Sequence, residues 1–368
     1  MKKSLQLASK RRDLAHKTAY LKKLARKGKS YDTRRALTTR QLGNEVYVEA
    51  PEVVSIYRVN AQTSRLERSP YERTLRFILA VKKQLKKSKC VLDFRGTQVV
   101  TAAALVVLYA EIESIVTDVD FKHRVALPTA KGAAKAIKNS GLMRLLNGRP
   151  LEKNFKELEK IPIIRGAGKE HLEEILNHIQ ERVYDNKMDA NTEYLFGDAV
   201  SETINNVGRH AYPGKRDYEK EWWLTCEVIG DQLYLAIYDR GVGIPRTVVE
   251  QPWFLVSFKS MFPKQYQEVQ DALEEVAPDV KLYAFKRLKD SELIYISMKG
   301  DISGTQKSKH GQGSKSIKAL VNDTIGGKLW VFSRKGLYKF QSSDELPKLI
   351  KLPVELRGTL LQWNITIK

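Results

Sequence analysis

A helix that must stop at Tyr212-Pro213-Gly214, followed at once by a β-hairpin, dictates much of what the C-terminal half of this chain can form. The stretch SETINNVGRHAYPGK, residues 201–215, has helical spacing yet holds two adjacent asparagines and a glycine, which are poor helix formers. Glu202, Asn206 and His210 recur at every fourth position, and residues four apart share one helix face. A carboxylate, a carboxamide and an imidazole in line suit a binding site; taken alone, the stretch reads more readily as a solvated or capping face. Beyond the stop, EWWLTCEVI, a Gly230-Asp231 turn and LYLAIYD predict two antiparallel strands. Leu233, Leu235 and Ile237 alternate to one side, so the second strand delivers Asp239 into Arg240-Gly241-Val242-Gly243-Ile244-Pro245.

A carboxylate at a strand end can accept a hydrogen bond from the amino group of a flat heterocycle, and neighbouring glycines let the backbone approach that ring. An Asp-Gly turn that merely reverses the chain is the plainer alternative. Further on, His310-Gly311-Gln312-Gly313-Ser314-Lys315-Ser316 opens the helix SIKALVND. A glycine-rich entry to a helix offers free N–H groups and a positive dipole end to phosphate. It is not a Walker A loop, because the G-x-x-x-x-G-K spacing fails. GGKLWVFSRKGLYKF then reads as a second hairpin and LRGTLLQWNITIK as a last strand.

The 368 residues suggest two domains with an appendage, and 42% hydrophobic content is enough for cores. Two cysteines, Cys90 and Cys226, give neither a disulfide framework nor metal-ligand spacing, which suits a reducing compartment. The basic start lacks the apolar core of a signal peptide, and the longest apolar run, Val99 to Ala110, is too short to span a bilayer. A soluble, cytoplasmic protein without membrane insertion is the expectation. The net charge of +21 is uneven: residues 1–40 hold fourteen Lys or Arg against Asp13 and Asp32. This basic arm, taken as residues 1–43, suits either a phosphate backbone or a solubilising leader.

From residue 44 to 150 strands alternate with helices, which argues for a small sheet covered by helices. CVLDFRGTQVVTAAALVVL, followed by a strand and a helix ending in GLMRLL, resembles the STAS domain, the anti-sigma-factor-antagonist fold. In that family a loop serine before the apolar helix is often phosphorylated; here the loop Val100-Thr101-Ala102-Ala103 offers only the hydroxyl of Thr101. Residues 151–190 read as a helical connector. His171 and His178 are spaced seven apart on its helix, hence on one face, as a surface helix or a phosphoacceptor.

The segments of residues 191–368 together resemble the GHKL ATPase superfamily, and most of all its anti-sigma-factor serine kinases. The pattern E-x-x-x-N-x-x-x-H-[AG]-Y is met by Glu202, Asn206, His210, Ala211 and Tyr212. D-x-G-x-G is met by Asp239, Gly241 and Gly243, the G-x-G before a helix by Gly311 and Gly313, and the final Gly-Thr by Gly358-Thr359. The resemblance implies an α/β (α+β) sandwich of the Bergerat type that binds ATP and Mg²⁺. Asn206 would ligate the metal, Glu202 would orient or deprotonate the nucleophile, and Asp239 with Thr359 would hold adenine. Gly311 and Gly313 would cradle the phosphates, and His210 would either contact the nucleotide or only pack and cap the helix end. Residues 246–310 would form a long lid whose tail, including Lys309, closes over the γ-phosphate. Ser314-Lys315-Ser316 departs from the Leu-Gly-Leu that often follows in the family.

The function expected is a nucleotide-driven regulatory switch, slowly hydrolysing ATP and signalling through lid closure to a protein partner. A serine/threonine kinase of the anti-sigma type is the alternative, with Glu202 as base. A third reading is a nucleic-acid-associated ATPase using the arm of residues 1–40. A homodimer is compatible with all three.

Overall fold

A computed structural model describes residues 39–57, 68–116, 122–148, 162–168, 170–274, 280–299, 312–324 and 326–367. What was expected of residues 1–38 as a phosphate-tracking arm lies outside the described residues, as do Lys309 and Gly311. The segment expected as an arm ends in structure, since Thr39–Leu42 is a strand.

The N-terminal half runs β1 (Thr39–Leu42), β2 (Glu45–Glu49), β3 (Val53–Val54), α1 (Pro70–Leu85), β4 (Cys90–Asp93), β5 (Val99–Val100), α2 (Ala102–Val116), β6 (Arg124–Ala126), α3 (Lys131–Asn139) and α4 (Leu142–Leu146). Its sheet has the order β1-β2-β4-β6, with β1 antiparallel to β2 and the other pairs parallel. Parallel neighbours need a crossover, and helices α1 and α2 supply those on either side of β4. Helix α1 starts where the Ser69 hydroxyl accepts the Glu72 N–H at 3.2 Å and Pro70 occupies the first turn. The single helix expected over TAKGAAKAIKNSGLMRLL, residues 129–146, starts at Lys131 and is broken at Ser140-Gly141 into α3 and α4.

The C-terminal half continues with β7 (Ile164–Ala167), α5 (Leu172–His178), α6 (Ala190–Asn206), β8 (Glu221–Ile229) and β9 (Gln232–Asp239). Then follow α7 (Ile244–Val248), α8 (Phe254–Met261), α9 (Pro263–Glu274), α10 (Val280–Arg287), α11 (Asp290–Lys299), α12 (Gln312–Asn322), β10 (Lys328–Gln341) and β11 (Lys348–Thr366). The five strands form an antiparallel sheet in the order β10-β11-β9-β8-β7. The chain is thus a mixed α/β fold.

Two expectations are corrected here. Lys328–Gln341 is one long strand rather than a hairpin. Arg334, with φ of 51°, and Gly336 form a bulge that β11 accommodates by slipping register, so the chain bends without reversing. His171 and His178 do not share a face either. His171 precedes α5 in a left-handed conformation, and His178 is 9% exposed.

The C-terminal sheet is covered on both faces because its strands alternate two apolar sets. Trp222, Leu224, Leu235, Ile237 and Trp363 pack with Phe196, Val200 and Ile204 of α6 and Leu320 of α12. Trp223, Tyr238, Phe332 and Leu360 point the other way and share a core with Phe77, Val81 and Leu108 of α1 and α2. Large aromatics of this kind bury roughly 150–250 Å² each. Helices α7 to α11 occupy the expected lid region and carry their own cluster, including Val248, Phe254, Phe258, Leu288 and Leu293. The tail of the expected lid, residues 300–310, lies outside the described residues.

Candidate functional site

Helix α6 begins at Asp189, whose carboxylate accepts the Asn191 and Thr192 N–H groups at 3.1 and 3.0 Å. Past Asn206 the α-helix gives way to a π turn, Val207–Ala211, ending at Tyr212. The expected one-face alignment therefore holds for Glu202 and Asn206, while His210 sits on the wider turn. π turns are rare and recur at functional sites. All three side chains nonetheless line one cleft of about 1210 Å³.

The floor of that cleft is the end of β9. Asp239 stands opposite Trp222 on β8 and opposite Thr359 on β11, so the sheet register itself brings Asp239 and Thr359 together. Both residues line the cleft. Asp239 is 5% exposed, and its Oδ1 accepts the Gly241 N–H at 2.8 Å. Burial pushes its carboxyl up from 3.8 to about 7, against the opposing pull of the Gly241 N–H and of the Thr359 N–H and hydroxyl. Two glycines make this packing feasible. A Cβ on Gly241 would collide with the Ala211 carbonyl oxygen, and one on Gly358, at φ of +70°, with the Asp239 carbonyl oxygen. The turn is clamped further: Val242 N–H bonds to Ala211 O at 2.8 Å, and Arg240 N–H to the Tyr212 hydroxyl at 2.9 Å. The Thr359 hydroxyl lies 3.1 Å from Ser333 Oγ, which accepts the Ile244 N–H at 3.0 Å.

The wall is α6. Burial raises the Glu202 carboxyl above its ordinary range; Asp198 adds to this, while Arg209 and a hydrogen bond with Asn206 oppose it. Burial holds His210 below its usual value, with Arg209 adding to the effect, so its imidazole is neutral at pH 7. Facing α6 is the start of α12, whose Ser314, Lys315 and Ser316 line the same cleft. Gly313 lies in the first turn of that helix, and Gly243 lines the cleft beside α7.

Of the expected site residues, Glu202, Asn206, His210, Asp239, Gly243 and Thr359 line one cavity. Gly241 serves it from behind, through its N–H to Asp239. Sequence reasoning missed Asp198, Arg209, Gln251 and Trp253, which also line it. Asp198 was findable, since it extends the ladder of Glu202 and Asn206 one turn toward the start of α6. Trp253 was not, because the approach of the segment between α7 and α8 to the cleft is a tertiary event.

Together these define a class of protein: a mixed α/β chain whose antiparallel sheet ends in a deep cleft with a desolvated carboxylate at its floor. No family model matches the chain, and no curated protein matches it. Among the described residues no group of three or more His, Cys, Asp or Glu is arranged to hold a metal ion, and no helix is long and apolar enough to cross a membrane.

Proposed function

We propose that this chain is an Mg-ATP-binding protein of the GHKL type, in which residues 44–150 form a STAS-like module. The observation that carries the reading is the register pairing of Asp239 with Thr359 beneath a cleft whose wall bears Glu202 and Asn206. The buried Asp239 carboxylate suits an exocyclic amine of adenine, since a donor there would satisfy a group that burial otherwise penalises. The cleft exceeds the usual size of small-molecule sites, roughly 300–1,000 Å³, and so admits a triphosphate nucleotide. Mg²⁺ takes oxygen ligands and keeps several waters, so one Asn206 oxygen with phosphate oxygens would hold it without a protein cage. Lys315, which lines the cleft, and the N–H groups opening α12 would balance phosphate charge there.

Glu202 is the base or orienting group for the attacking oxygen, a role its raised pKa favours at neutral pH. The reading is a regulatory switch with slow hydrolysis. Thr101 does not line the cleft, and its hydroxyl donates to Val54 O at 3.4 Å, which speaks against transfer to it within one chain. Titration calorimetry with ATP and Mg²⁺ tests the proposal on wild type and Asp239→Asn. Saturable heat from the wild type alone supports it, and no heat from the wild type ends it. Radiolabelled ATP then separates the mechanisms, because label on a partner protein would point to a kinase and released phosphate alone to the switch.

A further inference from the structure

Asp239 faces the cleft, but the residues on either side of it face the N-terminal half. The Tyr238 hydroxyl lies 2.9 Å from Glu111 Oε1 and 2.9 Å from Arg357 O, so its single proton is shared between them. Arg240 Nε is 3.6 Å from Glu111 Oε1, and Arg240 Nη1 donates to Ser114 Oγ at 2.8 Å. Lys82 of α1 pairs with the other carboxylate oxygen of Glu111. The Arg240 guanidinium also lies 5.9 Å from the ring centre of Trp223, whose Nε1 donates to Glu113 at 2.7 Å. Glu111, on α2, is 4% exposed. Burial alone would raise its pKa, yet Lys82 and Arg240 hold it below the ordinary range, so a carboxylate is kept ionised inside the interface.

This network grips both strands of the site. Tyr238 and Arg240 bracket Asp239, so one carboxylate from the N-terminal half holds the residues on either side of it, while the Tyr238 hydroxyl alone reaches the Arg357 carbonyl that precedes Gly358-Thr359. We propose that Glu111 is the positioning residue of the 239–243 turn, and that through it the N-terminal half sets the affinity of the cleft for its nucleotide. The second clause rests on the ATP reading above; the first does not. Coupling of this kind is reciprocal, so a ligand in the cleft also steadies α2 around Glu111 and Ser114. A partner docking on the N-terminal half that shifted α2 would then loosen or tighten the floor of the cleft.

The test uses the full chain with Glu111→Gln, which keeps the shape and removes the charge, and Arg240→Lys, which keeps a charge but loses the fork. Hydrogen exchange is followed on the peptide spanning 238–243, and affinity with a fluorescent ATP analogue and Mg²⁺. Both variants should speed exchange of the turn amides about tenfold while the amides of α6 keep their wild-type rates. The analogue should bind about tenfold more weakly. Wild-type exchange in the turn for both variants overturns the proposal. So does faster exchange spread evenly over α1, α2 and α6, which is what a merely structural role would give. Fast exchange in the turn with unchanged nucleotide affinity removes the control of affinity and leaves the positioning. If the wild type takes up no analogue, the ATP reading falls, and the exchange result still decides the role of Glu111.

Discussion

Replacing Asp239 with asparagine should stabilise the empty protein and disable it at once. An acid whose folded pKa is raised holds its proton longer in the folded state than in the unfolded chain. Between 3.8 and about 7 the folded protein therefore binds more protons, and stability falls as pH rises through that window. Integrating the two titrations, with 1.36 kcal/mol per unit, gives a destabilisation of about 2 kcal/mol at about pH 5.5 and about 4 kcal/mol at about pH 8.5. Asparagine carries no such penalty at any pH, although its one neutral oxygen accepts the N–H groups of Gly241 and Thr359 more weakly than a carboxylate, a fixed loss of about 1 kcal/mol. The stability of Asp239→Asn minus that of the wild type should consequently grow by about 2 kcal/mol across that range. Urea unfolding of both proteins without nucleotide at the two pH values measures this, and other titrating groups cancel in the difference. A difference that stays flat with pH would refute the desolvated carboxylate and with it the physical basis of the site.

Further outcomes follow from the same geometry. ATP affinity should weaken about tenfold from about pH 8 to about pH 6, because only about a tenth of Asp239 is ionised at the lower value; calorimetry at saturating Mg²⁺ checks it. Glu202→Gln should leave nucleotide binding intact and lower phosphate release about a hundredfold or more, measured under single-turnover conditions. Gly241→Ala should cost about 1–3 kcal/mol in urea unfolding, through its collision with the Ala211 carbonyl, and abolish ATP binding; wild-type behaviour in either assay would contradict the packing. Asn206→Ala should remove the dependence of ATP affinity on Mg²⁺, seen by repeating the titration with and without the metal.

The parts of this architecture that could be read from sequence are those set by short-range rules. The Gly230-Asp231 turn and the alternation of Leu233, Leu235 and Ile237 placed β8 and β9 correctly. Glu202, Asn206 and Asp239 were visible because each is an unusual residue for its place in its element. What escaped depends on partners distant in the chain. The bulge at Arg334 and Gly336 looks like a turn until β11 supplies the pairing that keeps it a strand. The role of Trp223 and Tyr238 as part of the second face of a sheet shared with α1 and α2 is fixed only by tertiary packing. Glu111 carries no local signal that sets it apart, since Glu113 shares the same largely apolar helix and only the contacts with Tyr238, Arg240 and Lys82 distinguish it.

The double burial of the five-stranded sheet bears on how the protein can be dissected. A fragment beginning at residue 191 would lose β7, the edge strand paired with β8. It would also carry Trp223, Tyr238, Phe332 and Leu360 into water as one contiguous greasy surface. Such a truncation should aggregate or bind hydrophobic dyes, whatever the integrity of its cleft. The boundary between the two halves marks a change of motif along the sequence, and it is no place to cut.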